Sequence, residues 1–110
     1  MHTTNDVREQ IRCTLRTLGF APHHAGYRLL ADAILLYIEN RDLSVTKELY
    51  PALAKQSGLY SAASIERSIR YAISEAWNHG PHEHWYMLFP NQLKAPSNMV
   101  FIAVLAESWT

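Results

Sequence analysis

Cys13 is the only cysteine among 110 residues. An internal disulfide is therefore excluded, and the composition suits a reducing compartment. Being small and alone, Cys13 is expected to fill space in the core. Long apolar runs are missing as well, since none reaches the roughly 18 residues a membrane span requires. The start of the chain, Met1-His2-Thr3-Thr4-Asn5-Asp6, is polar and carries no signal-peptide pattern. Net charge is absent too, the 10 basic and 10 acidic side chains balancing at neutral pH. A uniformly basic surface of the kind that favours phosphate backbones is thereby excluded. No segment alternates apolar and polar residues with the two-residue period of a strand. Paired carboxylates, a nucleophile–base pattern and a glycine-rich phosphate loop are also missing, which leaves enzyme activity without a chemical basis.

What is present is an ordinary globular composition, 48% hydrophobic and 18% charged. That is enough for one domain around one core. No internal repeat, low-complexity stretch or linker interrupts it. The balanced charge is unevenly spread. Residues 1–70 hold nine of the ten Lys and Arg and seven of the ten Asp and Glu, leaving +2 there and −2 in residues 71–110. A surface for nucleic acid would have to be local.

Helical periodicity runs through the chain. A first helix is expected from Asp6, with Glu9 as its capping-box partner, Val7, Ile11, Leu15 and Leu18 as its stripe, and Gly19 closing it. A second should span Ala25 to Asn40, burying Tyr27, Leu30, Ala31, Ile34, Leu35 and Ile38. Ser44 or Thr46 can cap a third that carries Leu49, Leu53 and Ala54, provided Pro51 falls in its first turn. Gly58 then marks a turn. A fourth helix should run from Ala62 to His79 and stop at Gly80-Pro81. His84 to Phe89 reads as a short helix or turn. Ser97 or Asn98 caps a last helix with Ile102, Leu105, Ala106 and Trp109 in one stripe. The fold class is therefore all-α, a compact bundle of about six helices.

The fourth helix carries the functional signal. At about 100° per residue, Ile65, Ile69, Ala72, Ile73 and Ala76 share one arc. Ala63, Ser64, Arg67, Arg70 and Ser74 share the adjacent arc, with Glu66 between. One face packs while its neighbour offers arginines, a carboxylate and small residues. Small residues let a helix approach base edges closely. An arginine can donate two bonds to guanine O6 and N7, and a glutamate can accept from cytosine N4. Periodicity alone also fits a solvated amphipathic helix. The preceding turn favours recognition, because Ala54 and Gly58 match the small residue and turn glycine of helix-turn-helix units. Ile65 arrives about one residue later than in the commonest version of that motif.

Several motifs in order carry a family resemblance from about Val7 to Glu107. They are Gly19-Phe20-Ala21-Pro22-His23 with Gly26-Tyr27, then Thr46-Lys47, Leu49-Tyr50-Pro51 and Ala54-Lys55. Ile65-Glu66-Arg67, Ile69-Arg70, Ala72-Ile73, Ala76-Trp77, Gly80, and Asn98 with Phe101-Ile102-Ala103 complete the set. The chain resembles the C-terminal effector domains of stage-zero sporulation response regulators, the transcription factors of endospore formation in Firmicutes. The resemblance implies six helices with the fourth as recognition helix. It also implies sequence-specific binding of double-stranded promoter DNA, transcription regulation and self-association on tandem sites. By the same resemblance Glu66, Arg67 and Arg70 read base edges. Lys47, Lys55, Ser64, Lys94 and His23 fall at phosphate-contacting positions. Asn98, Ile102 and Trp109 lie on the last helix, which the family uses for dimer and RNA polymerase contact. No cofactor, metal, small-molecule ligand or membrane is implied, and the location is cytoplasmic, at the nucleoid.

Two departures stand out. Ser64 replaces the family's basic residue before the Ile-Glu-Arg motif, and Ala95 replaces its lysine before the loop proline, with Lys94 adjacent. Losing such phosphate contacts weakens binding without directly changing base choice. No receiver domain or phosphoacceptor aspartate lies within residues 1–110, which read as a single helix-turn-helix effector domain, excised or stand-alone. Effector domains of this family are competent for DNA by themselves. A second class remains open, a receiver-less protein-interaction module that modulates a full-length regulator. His79, His82, Glu83 and His84 cluster in sequence, but without a cysteine or second ligand group they read as a solvated loop, not a metal site. Tyr50-Pro51, Trp77 and the Trp85-Tyr86-Met87-Leu88-Phe89 run are expected in the core.

Overall fold

The computed structural model describes residues 4–109, and the polar start Met1-His2-Thr3 lies outside them, as does Thr110. Six α-helices follow one another: α1 (Thr4–Thr17), α2 (Ala25–Glu39), α3 (Tyr50–Ser57), α4 (Ala62–His79), α5 (His82–Leu88) and α6 (Asn98–Ala106). A π turn, Val45–Leu49, leads into α3, and a 3₁₀ turn, Glu107–Trp109, ends the described chain. No strand occurs among the described residues, so the fold is all-α as the periodicity predicts.

The helix ends obey local chemistry, with one correction. α1 begins before Asp6, which therefore lies in its first turn and does not cap it. Glu9 does not reach back as a capping partner; its Oε1 accepts from Arg16 Nη2 at 3.2 Å, down the same face. At the other end Gly19, at φ +98°, donates to Arg16 O, and Phe20 donates to Leu15 O, both at 3.0 Å. This left-handed double closure satisfies carbonyls that the helix leaves open. Ser44 caps the π turn, its Oγ accepting from Lys47 N–H at 3.3 Å while its own N–H donates to Glu48 Oε1 at 2.9 Å. Pro51 then sits in the first turn of α3, where a missing N–H costs least.

α2 forms the centre of the bundle, packing against α1, α4 and α6. It crosses α4 closely at Gly26, where a Cβ would stand 2.4 Å from Ser68 O and 2.7 Å from Ala72 Cβ. Only hydrogen allows α4 to come so near. Ile65, Ile69 and Ile73 of α4 are fully or almost fully buried, as are Leu30 and Ile34 of α2. A second layer is aromatic. Trp85 of α5 packs between Phe20, Phe89 and Phe101, with ring centroids 5.5–6.0 Å apart. Trp77 meets it edge-on at 5.3 Å. The Trp85 indole N–H donates to Leu18 O at 2.9 Å, so the one polar atom of a fully buried ring is satisfied.

Several side chains fall elsewhere than expected. Cys13 is exposed, because α1 buries Ile11 and Leu15 and turns Cys13 to the opposite side. Tyr86 and Met87 are exposed at 52% and 80%, since a short helix can bury only one side, here Trp85 and then Phe89. α5 starts at His82, two residues early, directly after Pro81. Trp109 belongs to the 3₁₀ turn and is half-buried, its indole donating to Gln10 Oε1 at 2.7 Å.

Candidate nucleic-acid interface

α3 and α4 are joined by a short turn that opens with Gly58 at φ +69°. A Cβ at Gly58 would meet nothing within 4 Å, so it is the backbone angle, not space, that favours glycine. Ser61 starts α4, its Oγ accepting from Ser64 N–H at 3.1 Å, and the Ser64 hydroxyl returns a bond to Ser61 O at 3.0 Å. Ser64 is thus half-buried and engaged in the first turn.

With the isoleucines of α4 turned inward, the opposite face is open. Ala63, Arg67 and Arg70 are exposed and Glu66 is half-exposed. Glu66 holds Arg70 through a side-on pair, Nε to Oε1 at 3.0 Å and Nη2 to Oε2 at 3.4 Å. The opposite edge of that guanidinium, Nη1 with the outer hydrogen of Nη2, points away from the carboxylate. Arg67 has neither hydrogen bond nor ion pair among the described residues. A shallow groove lined by Thr46, Tyr50, Ala62, Glu66, Arg67 and Arg70 runs along this face. A second groove continues it, bounded by Ser74, Lys94, Ala95, Ser97 and Met99.

Around this face the other sequence candidates are distributed unevenly. Lys47 and Lys55, on the π turn and α3, and Lys94, in the loop before α6, are exposed. Of these, Lys94 shares a groove with Glu66 and Arg70. His23 is exposed ahead of α2, its ring edge-on to His24 at 4.4 Å. His24 in turn stacks on Tyr71 of α4 at 6.2 Å. Tyr71 and Asn78 are exposed and fall, at about 100° per residue, on the same side of α4 as Arg67. Neither is part of the motif that carries the family resemblance, but the angular spacing along α4 places both beside Arg67.

The α6 candidates are mostly turned inward. Ile102 is fully buried. The Asn98 amide donates to Tyr50 Oη at 2.9 Å and to the Glu66 carbonyl at 3.1 Å. Burial raises the Tyr50 hydroxyl pKa above its ordinary value, partly offset by the Asn98 bond, so it stays a neutral phenol. Met99, 59% exposed, is the open apolar side chain at this end of α6.

Away from this face, α1 and α2 share a charge cluster. Arg8 Nη1 lies 3.5 Å from Asp32 Oδ1. Desolvation raises the Asp32 pKa, while Arg8 and Arg12 pull it back. The histidines around Gly80 do not converge, and no three metal-ligating side chains meet among the described residues. No helix there is long and apolar enough to cross a membrane.

Residues 11–109 match the family model described as the C terminal of the sporulation initiation factor Spo0A. That family is a DNA-binding regulatory one, not an enzyme family. The match takes in the whole of α2 to α6, and with them the α3 turn, the arginine-bearing face of α4 and the loop that brings Lys94 beside it. The chain therefore belongs to the family of C-terminal DNA-binding domains of the sporulation initiation factor Spo0A.

Proposed function

We propose that this chain reads double-stranded promoter DNA with α4 and regulates transcription by doing so. The observation that carries the reading is the two-sided build of α4. Three buried isoleucines hold one side, while an unpaired Arg67 and a Glu66-braced Arg70 stand exposed on the other behind a capped turn. In this reading α3 and α4 act as a helix-turn-helix, with α4 in the major groove. Arg67 and Arg70 donate to guanine, each good bidentate contact discriminating by about 1–3 kcal/mol. Glu66 acts on Arg70. It occupies the Nε/Nη2 edge and leaves the other edge presented for O6 and N7, so less side-chain freedom is lost on binding. Lys47, Lys55, Lys94, His23 and the first turn of α4 near Ser64 meet phosphates, setting register without reading sequence. With Ile102 buried, self-association on tandem sites and contact with RNA polymerase fall to the open side of α6 around Met99, together with Trp109.

Fluorescence anisotropy tests this directly. A labelled duplex carrying the family's target box is compared with a scrambled duplex at two salt concentrations. The expected result is preference for the box together with affinity that falls steeply with salt. Weak and equal binding to both duplexes would refute the reading and move the function to a protein-interaction module.

A further inference from the structure

We infer that Asn98 is a positioning residue, which holds the base-reading turn of α4 in register by tying the first turn of α6 to the Glu66 backbone. The inference rests on the DNA-reading proposal above and adds a residue that touches no base. Its amide nitrogen donates to two acceptors on two different elements, Tyr50 Oη of α3 at 2.9 Å and the Glu66 carbonyl of α4 at 3.1 Å. A carbonyl only accepts, so the NH₂ end must be the one facing Glu66. A carbonyl also has two lone pairs, so it accepts from Asn98 without giving up its place in the helix ladder. Both ends of the strut are themselves held. Tyr50 is 4% exposed, and Ser97 caps α6 by accepting from Val100 N–H at 3.3 Å.

The geometry gives this bond leverage. Glu66 and Arg70 lie one turn apart and are joined by their side-on pair. A side chain reaches about 6 Å from the helix axis, so a rotation of α4 by about 10° displaces its tip by roughly 1 Å. A displacement of that size is enough to spoil a recognition geometry that tolerates about 0.5 Å. The buried isoleucines hold α4 through apolar contact that is not directional. A directed bond to a single backbone carbonyl resists rotation, and it acts on the turn that carries the readers.

A thermodynamic cycle tests the assignment. Wild type, Asn98→Ala, Arg70→Ala and the double variant are compared for affinity to the family's target box, a scrambled duplex and single-base variants of the box. Thermal unfolding is recorded alongside, so that every affinity is read on folded protein. Asn98→Ala is expected to lose about fivefold in box-over-scrambled discrimination, the worth of one hydrogen bond, with the salt dependence of scrambled binding unchanged. The loss should concentrate at the base pair that Arg70→Ala also relaxes, and should shrink when Arg70 is already gone. An additive cycle, or full discrimination in a destabilised Asn98→Ala, would overturn the positioning role and leave a purely structural bond. Should Asn98→Ala fail to fold, Tyr50→Phe takes its place in the cycle, because it removes the phenol oxygen that orients the amide. A smaller loss with the same non-additivity supports the inference, and wild-type discrimination overturns it. Wild type that does not distinguish box from scrambled sinks the DNA reading itself, a result separable from an additive cycle.

Discussion

Gly26→Ala puts the mounting of α4 to a sharp test. The new methyl would lie 2.4 Å from Ser68 O, 3.1 Å from Ser68 C and 2.7 Å from Ala72 Cβ. Two of these atoms are backbone and the third is a methyl, so none can swing aside. α2 and α4 must separate by several tenths of an ångström, an overpacking that costs about 1–3 kcal/mol. Helix propensity works the other way, alanine being better than glycine by roughly 0.5–1 kcal/mol. The net expectation is a loss of about 1–2 kcal/mol, which for a domain of this size lowers Tm by roughly 5–10 °C. Thermal unfolding by circular dichroism reads it directly. Because propensity favours alanine, a Tm equal to or above wild type would refute the close crossing. The variant should also lose box preference before it loses binding to scrambled DNA, since α4 shifts without losing charge.

Other expectations separate the roles assigned to individual side chains. Arg67→Ala and Arg70→Ala should each cost about 1–3 kcal/mol and relax choice at one base position, checked by anisotropy on single-base variants. Lys55→Ala should weaken all duplexes alike and reduce the salt slope by about 1, while an altered ranking of sites would contradict its phosphate role. Trp85→Phe strands Leu18 O and opens a small void, so a loss of roughly 2–4 kcal/mol is expected in denaturant unfolding. For Asp32 the folded pKa is raised, chiefly by desolvation. Its contribution to stability is therefore most favourable below the ordinary carboxylate pKa and is lost as pH rises through the raised folded value. Asp32→Asn should accordingly fare better relative to wild type as pH climbs from about 4 to 7, and the reverse trend in Tm would show the Arg8 and Arg12 pairing to be dominant.

Much of this molecule is legible in its residue order, where a local rule sufficed. α4 begins at Ala62 and ends at His79 as read, because Ser61 and the Gly80-Pro81 stop are strong, short-range signals. Its buried arc was equally plain, since periodicity alone places Ile65, Ile69 and Ile73. Cys13 departs from the general tendency of free cysteines toward burial because its angle on α1 sets it opposite Ile11 and Leu15. The Trp85–Phe89 run looked uniformly like core because apolar character carries no direction until the helix and its neighbours are placed. The Glu66–Arg70 pair was readable as an i, i+4 spacing, but not the edge of the guanidinium it would occupy. The bonds of Asn98 to Tyr50 and Glu66 span 48 and 32 residues. No window on the sequence contains such contacts.

The manner in which α4 is mounted bears on how this domain can change over generations. Its attachment uses a glycine at the crossing, a buried isoleucine row and a backbone carbonyl. The outward face adds an exposed Glu66–Arg70 pair, worth about 0.3–0.5 kcal/mol to stability, and the stacking of Tyr71 on His24. Substitutions there are nearly silent for folding, so under the proposed reading of DNA by α4 selection can act on site preference with little penalty in stability. The same scaffold can thus give rise to regulators with diverging targets, one exposed side chain at a time, while the inward face stays under a different and stricter constraint.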